Sequence, residues 1–208
     1  MTKQKHGGYE RENTTVERGA ATELLLVRHA PALTAGCLAG RRDVPADCSD
    51  RARFAALCNA LGRLDVVVAS PALRCRQTAG ALWPGRDIDE YMDALWEQDF
   101  GEWEGKPYAD LPDLGDMPTR SLANHRPAGG ESFTDLFHRA GPVLRDLGQR
   151  SGRIAVVAHA GVVRAALALA LGDVASGLRF EVAPLSVTTL RALPKASWSV
   201  VSVNRTFP

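Results

Sequence analysis

The chain has 208 residues, 45% of them hydrophobic, and this length and composition suit one compact domain with a hydrophobic core. Its 25 basic and 24 acidic residues give a net charge of +1, which favours neither nucleic acid nor an anionic membrane surface as a partner. No apolar run is long enough to span a bilayer. The function therefore has to be sought in local motifs.

The N-terminal residues are polar and lack the hydrophobic segment of a secretory signal. We therefore predict that residues 1–22 form a flexible tail and residues 23–208 a single domain.

Four cysteines are present, and they form no C-x-x-C pair and no Cys/His grouping with zinc spacing. We expect reduced thiols, a cytoplasmic location and no bound metal.

Three short apolar runs are typical of buried parallel strands, and four stretches between and after them predict helices. The strands are predicted at 24–27, 66–69 and 154–158. The helices are predicted at 49–64 with Ser49 as N-cap, at 73–82, at 131–147 and at 161–171. We expect the Gly141-Pro142 pair to kink or interrupt the third helix.

The last part of the chain changes character. Residues 179–193 and 197–203 have strand-like composition and are predicted to pair as a hairpin around Pro194-Lys195. Residues 100–130 are rich in Gly, Pro and Asp with little periodicity, which predicts a long ordered loop. Such loops are often functional in compact domains. Strands that alternate with helices indicate an α/β fold.

Polar side chains follow all three predicted parallel strands. Open α/β sheets bind ligands at the carboxyl ends of their strands, so we expect these side chains to gather at one edge of the sheet. They are Arg28 and His29 after the first strand, Ser70 and Arg74 after the second, and His159 and Arg164 after the third.

These residue types fit phosphoryl transfer. A guanidinium is a planar fork that can hold two phosphate oxygens, and Arg28 and Arg74 could supply it. A helix that begins just after His159 would direct backbone N–H groups and a positive dipole end at an anion. A neutral imidazole can attack phosphorus directly, and the leaving alkoxide then needs a proton from a nearby Asp or Glu. With these cations, neither a metal nor a cofactor is needed.

Each residue also has an ordinary structural interpretation. Arg28 and His29 could be a surface arginine beside a capping histidine, and His159 could be a core histidine with satisfied hydrogen bonds. Arg74 and Arg76 could lie on the solvated face of a helix. The functional interpretation depends on the combination, because three separate strand ends would otherwise bring cationic groups together by chance.

Five motifs in chain order resemble those of the histidine phosphatase superfamily, which has the phosphoglycerate-mutase-like fold. They are "VRHA", "ASPALRCRQTA", "EQDFGEWEG", "AGGES" at 128–132 and "AHAGVVR". The resemblance covers residues 23–204. It implies a three-layer α/β sandwich in which helices cover both faces of a mostly parallel central sheet.

The resemblance also implies roles for individual residues. His29 would be the nucleophile that takes the phosphoryl group, and Arg28 and Arg74 would hold its oxygens. His159 would complete the phosphate pocket and stabilise the transition state. Glu97, the first residue of "EQDFGEWEG", would donate the proton to the leaving oxygen.

The chain departs from the family pattern around both histidines. Ala30 and Ala160 stand where the family has glycine, and both are small enough to leave room for phosphate. Ala160 is assigned to substrate binding with the two arginines. The Glu-Thr and Asn that often follow the first histidine are absent from "APALTAG", so an accessory phosphate contact is missing unless Thr34 or Arg41 supplies it.

Neighbouring residues are given supporting roles. Trp103 and Glu104 are expected to hold the "EQDFGEWEG" loop rather than take part in the chemistry. Glu131 and Ser132 are expected to form a capping pair at the start of the third helix. A role for this pair in the pocket is secondary.

The resemblance predicts a metal-independent phosphomonoester hydrolase that acts through a phosphohistidine on a small phosphorylated metabolite. The alternatives are a phosphoglycerate mutase-type phosphotransferase and a non-catalytic phosphate-binding module. Only 61 residues separate Glu97 from His159, which favours an open hydrolytic site over a mutase. The presence of His29 together with these two residues counts against a non-catalytic module.

The short chain, its "FGEWEG" loop and the compressed segment "GCLAGRRDVPAD" resemble alpha-ribazole phosphatases, which remove a 5′-phosphate from a nucleoside-like molecule. A broad sugar-phosphate or nucleotide phosphatase is the alternative. Trp96, Phe100 or Trp103 could stack on the base of such a substrate, or could pack the loop. We expect no nucleic-acid or membrane partner and leave a homodimer open.

Overall fold

Helices and strands alternate along the residues that the structure, a computed structural model, describes, which are 21–194 and 197–208. The strands are β1 (Thr22–Arg28), β2 (Val66–Ala69), β3 (Glu90–Tyr91), β4 (Gly152–Ala158), β5 (Val187–Leu193) and β6 (Ser197–Arg205). The α-helices are α1 (Arg51–Leu61), α2 (Leu73–Leu82), α3 (Thr119–Asn124), α4 (Phe133–Gln149) and α5 (Ala160–Leu171).

The strands form one sheet in the order β3-β2-β4-β1-β5-β6. β3, β2, β4 and β1 are parallel neighbours, and β5 pairs antiparallel with both β1 and β6. The predicted hairpin is therefore confirmed, but its first strand begins at Val187 and not at residue 179, because the chain turns at 183–186. Lys195 of the predicted turn lies outside the described residues. Arg28 at the end of β1 pairs with Ala158 at the end of β4, and Ala69 at the end of β2 pairs with Val157. The three strand ends therefore reach the same edge of the sheet, as the sequence predicts.

Side chains that alternate along the central strands fill two separate cores. Leu24 and Leu26 of β1 pack under α4 and α5, whereas Leu25 and Val27 pack under α1 and α2. Burial on both faces explains why these strands are continuously apolar in sequence. The arrangement confirms the three-layer sandwich with a mostly parallel sheet.

The start of α1 differs from the prediction by one residue. Asp50, and not Ser49, is the N-cap, and its carboxylate accepts a hydrogen bond from the Arg53 backbone N–H at 3.0 Å. Aspartate and serine are about equally favoured at the N-cap, so the sequence alone could not show which of the two neighbouring residues caps the helix.

The Gly141-Pro142 pair does not interrupt α4, so of the predicted kink or interruption the interruption is wrong. Pro142 removes one backbone N–H, but it lies on the exposed face of the helix, where water can satisfy the carbonyl that loses its partner. Leu136 before the pair and Leu144 after it are both fully buried in the same core. Packing on both sides of the proline therefore keeps the helix continuous.

The predicted loop at 100–130 is ordered but contains short helices. Two 3-10 turns lie at Gly101–Trp103 and Tyr108–Asp110, followed by α3. Among the residues of α3 only Ala123 is buried, so the sequence carried no periodic signal for this helix. Backbone hydrogen bonds from Leu38 to Lys106 (2.9 Å) and from Gly105 to Leu38 (2.8 Å) hold the segment against the chain after β1.

β1 begins at Thr22, the last residue of the predicted tail, and the Thr22 hydroxyl donates to the carbonyl of Arg150. Residues 1–20 of the predicted tail lie outside the described residues. In the described ranges, none of the helices is both long and apolar enough to cross a membrane.

Candidate active site

Three buried polar side chains meet at the carboxyl edge of the sheet. His29, just after β1, is 5% exposed, Arg74 in the first turn of α2 is 1% exposed, and His159 after β4 is fully buried. Arg74 Nε donates to His29 Nε2 at 3.3 Å and to His159 Nδ1 at 3.2 Å. The residues after the three strands therefore meet as predicted, and the N–H on Nε of Arg74 contacts both histidines.

The hydrogen bonds of His29 define which of its ring nitrogens carries the proton. Its Nδ1 lies 2.7 Å from the carbonyl oxygen of Ala30, which can only accept, so Nδ1 carries the proton and Nε2 keeps its lone pair. The pKa of His29 is lowered to about 3, chiefly by burial; the hydrogen bond to Ala30 opposes this shift, and the Arg74 and Arg28 cations add to it. The imidazole is therefore neutral, and its Nε2 lone pair accepts the Arg74 N–H.

His159 has the opposite arrangement of protons. Its Nδ1 accepts from Arg74, so the proton lies on Nε2, which is 2.9 Å from the Ser70 hydroxyl oxygen and 3.5 Å from Cys75 Sγ. Burial and then the Arg74 cation lower the pKa of His159 well below its ordinary value. The two rings lie nearly perpendicular, with centroids 5.1 Å apart.

Backbone carbonyls after β1 fix the guanidinium of Arg74. Its Nη1 donates to Arg42 O at 3.0 Å and its Nη2 to Gly40 O at 2.7 Å. Gly40 has φ +54, and a Cβ there would overlap the Glu104 carboxylate, so the position requires glycine. The same Glu104 oxygen accepts from the Arg41 N–H at 2.7 Å. Segment 40–42 therefore joins Arg74 to the "FGEWEG" loop.

Glu97 reaches the site through the start of α5. Its Oε1 accepts hydrogen bonds from the backbone N–H groups of Gly161 (3.1 Å) and Gln98 (3.0 Å). A Cβ at Gly161 would overlap Oε1, so glycine permits this close approach. The Gly161 N–H, one of the groups predicted to face phosphate, is thus occupied by the predicted proton donor. Ala160 lies half-buried between Gly161 and His159.

Arg28 lies beside this cluster and holds a loop. Its Nη1 donates to the Val182 carbonyl, while its Nε is buried and has no partner among the described residues. Arg164 acts similarly, since its Nε donates to Phe180 O at 2.9 Å. Burial lowers the pKa of Arg28, and the Arg164 and Arg74 cations add to this against the carboxylate of Glu97. Arg28 therefore keeps a buried N–H that has no partner among the described residues, whereas Arg164 supports the 180–182 segment.

Arg139 of α4 fixes the backbone that carries Glu97, and sequence reasoning missed it. Its guanidinium forms two 2.9 Å bonds with the Glu131 carboxylate and donates to the carbonyls of Ala94 (2.8 Å), Trp96 (3.0 Å) and Glu97 (3.2 Å). No local signal identifies it, because a charged residue on a helix is ordinarily solvated.

The predicted capping pair at α4 is wrong in one partner. Ser132 is the N-cap, but its reciprocal partner is Asp135, which accepts from the Ser132 N–H at 2.8 Å. Glu131 instead binds Arg139 and also Arg41, at 3.3 Å. Arg41, considered above as an accessory phosphate ligand, is therefore paired with a carboxylate.

Two of the aromatic residues considered for base stacking face histidines of the protein. Trp96 lies parallel to His159, with centroids 6.3 Å apart and 8° between the planes. Trp103 stacks on His125 at 5.5 Å. Both tryptophans therefore pack the site and its loop, the ordinary role weighed in the sequence.

Metal-ligand geometry is absent from residues 21–194 and 197–208, since no three or more of their His, Cys, Asp and Glu side chains cluster in a way that could hold an ion. The four cysteines are free thiols. Burial raises the pKa of Cys75, so this thiol beside His159 stays protonated. Metal independence remains a prediction.

Comparison with known proteins decides the family. A family model described as "Histidine phosphatase superfamily (branch 1)" matches residues 24–206. The chain belongs to the histidine phosphatase superfamily. The match spans β1 to the end of β6 and so includes His29, Arg74, Glu97 and His159.

A curated relative in this superfamily is the Mycobacterium tuberculosis protein named "Bifunctional protein Rv2228c". It is 31% identical over 217 residues, which cover 92% of this chain and 56% of that protein. The chain thus spans about half the length of the relative it matches.

Two solved structures share the fold but carry different substrate names. One, from Escherichia coli, is provisionally assigned as an alpha-ribazole-5'-P phosphatase. It is 23% identical to this chain with a TM-score of 0.75, and the match covers 89% of this chain and 97% of the Escherichia coli chain. The other is the mycobacterial glucosyl-3-phosphoglycerate phosphatase Rv2419c, with 23% identity, a TM-score of 0.75 and coverage of 89% and 100%. Such likeness establishes the fold and leaves the substrate of this histidine phosphatase superfamily member open.

Proposed function

We propose that this member of the histidine phosphatase superfamily is a metal-independent phosphomonoester hydrolase that works through a phosphohistidine. The observation that carries the proposal is the contact of Arg74 Nε with both histidines, which directs the His29 Nε2 lone pair into the buried site. A neutral imidazole that keeps the lone pair of Nε2 beside a fixed cation is what attack on a phosphate dianion requires.

In the first step the Nε2 lone pair of His29 attacks phosphorus and the bond to the ester oxygen breaks. Arg74, the unused donor of Arg28 and His159 stabilise the charge on the phosphoryl oxygens. Glu97 gives its proton to the leaving alkoxide. Its carboxyl group is held near His159 because it accepts a hydrogen bond from the N–H of Gly161, two residues further along the chain.

In the second step water replaces the alcohol. The Glu97 carboxylate removes a proton from the attacking water, the N–P bond breaks, and inorganic phosphate leaves while His29 recovers its lone pair. Glu97 ends protonated and His29 neutral, so the cycle closes without a metal or a cofactor.

Two other activities use the same groups. A phosphoglycerate mutase-type phosphotransferase would return the phosphoryl group to a sugar acid, and a non-catalytic module would only bind phosphate. Support for hydrolysis over transfer comes from the 61 residues between Glu97 and His159, which leave little chain to enclose the site. The presence of both residues with His29 supports catalysis over binding alone.

As substrate we propose a small phosphorylated metabolite, with alpha-ribazole 5′-phosphate as the first candidate. The "FGEWEG" loop and the compressed segment at 36–47 support it. The pairing of Trp96 and Trp103 with histidines counts against a base-stacking tryptophan and favours a broad sugar-phosphate or nucleotide specificity. The free thiols are in keeping with a reducing compartment such as the cytoplasm.

The test is hydrolysis of p-nitrophenyl phosphate and alpha-ribazole 5′-phosphate in the presence of EDTA. Wild type is compared with His29→Ala and with the control His138→Ala, which changes an exposed histidine of α4. We expect turnover by wild type and the control and none by His29→Ala. Equal activity in all three would mean that His29 is not the nucleophile. No turnover of either substrate by wild type would contradict both the alpha-ribazole assignment and the hydrolase.

A further inference from the structure

The two imidazoles that face Arg74 are in opposite tautomers. His29 donates from Nδ1 to the Ala30 carbonyl and keeps its lone pair on Nε2. His159 keeps its lone pair on Nδ1 and directs its Nε2 proton at Ser70. One N–H of Arg74 therefore satisfies two lone pairs that point to the same place.

This arrangement suits the free protein but not a bound oxyanion. A phosphoryl group carries only hydrogen-bond acceptors on its oxygens, and the Nδ1 atom of neutral His159 is also an acceptor. If the phosphoryl group binds at Arg74 beside His29, two acceptors would face each other across a buried site. His159 can stabilise the phosphoryl oxygens only when a proton lies on Nδ1.

We propose that His159 changes tautomer when an oxyanion binds, and that the Ser70 hydroxyl turns from acceptor to donor toward Nε2. The imidazole releases its Nε2 proton to water and takes a proton from water at Nδ1, so its charge stays zero and no net proton is taken up. This inference rests on the proposed function, because it assumes that a phosphoryl group binds beside Arg74.

Ser70 is suited to this exchange. It follows β2, is fully buried, and its oxygen lies 2.9 Å from His159 Nε2. A hydroxyl can both donate and accept, so it can bond Nε2 in either tautomer without moving its oxygen. The other polar neighbour of Nε2, Cys75 Sγ at 3.5 Å, is a weak donor and a weak acceptor. Ser70 is therefore the positioning residue for the proton of His159.

The alternative is that His159 becomes an imidazolium, and its surroundings oppose this. The ring is fully buried, Trp96 covers one face, and Arg74, Arg28 and Arg139 contribute positive charge. The Cys75 thiol is neutral, and the carboxyl groups that act on this pair are those of Glu97 and Asp43. Moving a proton between the two nitrogens avoids placing another cation among three arginines.

The tautomers can be observed by long-range ¹H–¹⁵N NMR of the ¹⁵N-labelled protein, free and with sodium sulfate. Sulfate is a tetrahedral dianion that carries no exchangeable proton, and His159→Gln identifies the His159 signals. We expect a protonated Nε2 in the free protein, a protonated Nδ1 with sulfate, and one unchanged tautomer for His29. Calorimetry of sulfate binding in two buffers of different ionisation enthalpy should count no protons.

Two results would overturn the proposal: the same His159 tautomer with and without sulfate, or both nitrogens protonated with uptake of one proton. Hydrolysis of p-nitrophenyl phosphate by the same sample separates the two claims. An active protein with an unchanged tautomer contradicts the exchange alone. An inactive protein whose spectrum does not respond to sulfate contradicts both the exchange and the proposed function.

Ser70→Ala and Cys75→Ala form a matched pair of variants on the two sides of Nε2. We expect Ser70→Ala to show a mixture of both His159 tautomers in the free protein, because the Nε2 proton has lost its acceptor. Cys75→Ala should keep the single tautomer and its exchange. If Ser70→Ala behaves as wild type, Ser70 does not direct the proton and the assignment fails.

Discussion

His29 and His159 follow adjacent strands and Arg74 lies in the helix after a third strand, and all three are almost fully buried. Glu97 is instead half-buried in a loop, which is held in place by side-chain contacts. We call the first three residues the sheet half of the site and residues 94–104 the loop half. The sheet half is positioned by strand pairing and by one shared N–H of Arg74. The loop half depends on ionic and backbone contacts made by Arg139, Glu131 and Glu104.

The difference explains which step each half can control. In the proposed mechanism the sheet half binds the phosphoryl group and forms the N–P bond, so damage there should affect every substrate. The proposed role of the loop half is to supply a proton, so its importance should grow with the basicity of the leaving group. A series of phosphate esters with different leaving groups separates the two halves.

The largest effect on the loop half is expected for Glu97→Gln, which keeps the shape but removes the proton. We expect kcat/KM to fall roughly 10²- to 10⁴-fold for alkyl phosphates, whose leaving group must be protonated. The loss should be much smaller for p-nitrophenyl phosphate, which leaves as a stable anion. Equal losses on both esters in steady-state assays would mean that Glu97 is not the proton donor.

A smaller effect with the same pattern is expected for Gly161→Ala. The new Cβ would overlap the Glu97 carboxylate and would lie 3.0 Å from Leu136 Cδ1, so the carboxylate has to move. Alkyl phosphate turnover should fall about tenfold or more, while p-nitrophenyl phosphate is affected less, because a proton donor needs hydrogen-bond distance to its target. Gly80→Ala, which adds a methyl into open space on α2, is the control. If Gly80→Ala lost as much alkyl phosphate turnover as Gly161→Ala, the loss would be due to impaired folding and not to the displaced carboxylate.

The support of the loop half can be tested with Arg139→Met. The substitution removes the hydrogen bonds to the carbonyls of Ala94, Trp96 and Glu97 and leaves Glu131 with Arg41. Denaturant unfolding should show a loss of about 2 kcal/mol, as for hydrogen bonds of a charged group. Arg145→Met, at an exposed position of the same helix, serves as the comparison. An unchanged alkyl phosphate turnover in Arg139→Met would contradict a positioning role.

The smallest expected change concerns the protonation of His29 in the sheet half as the pH is varied. Because the pKa of His29 is lowered to about 3 from an ordinary value of 6.5, the native imidazole should not titrate between pH 8 and 5. Its C2 proton shift should stay constant in an NMR titration. The unfolded chain does take up this proton, so His29 makes the free energy of unfolding decrease as pH falls below 6.5. A His29 titration near pH 6.5 would contradict the neutral nucleophile.

The sequence predicted the sheet half because strand patterns and strand-end residues are local signals. The apolar runs of β1, β2 and β4 place the residues after them at one edge of a parallel sheet, and His29, Arg74 and His159 follow from this. The motif identified Glu97, but the contacts that hold it join residues far apart in the chain. Arg139, Gly161 and the carbonyls of segment 40–42 carry no periodic signal, and only the folded chain brings them to the site.

The central claim is that His29 carries the phosphoryl group, and trapping the intermediate tests it most directly. Wild type mixed with a phosphomonoester and quenched in base, in which N–P bonds survive, should gain one phosphoryl group by mass spectrometry. Peptide mapping should place the group on His29, and His29→Ala should remain unmodified. Turnover without any trapped phosphoryl group, or a group on another residue in wild type, would contradict the account.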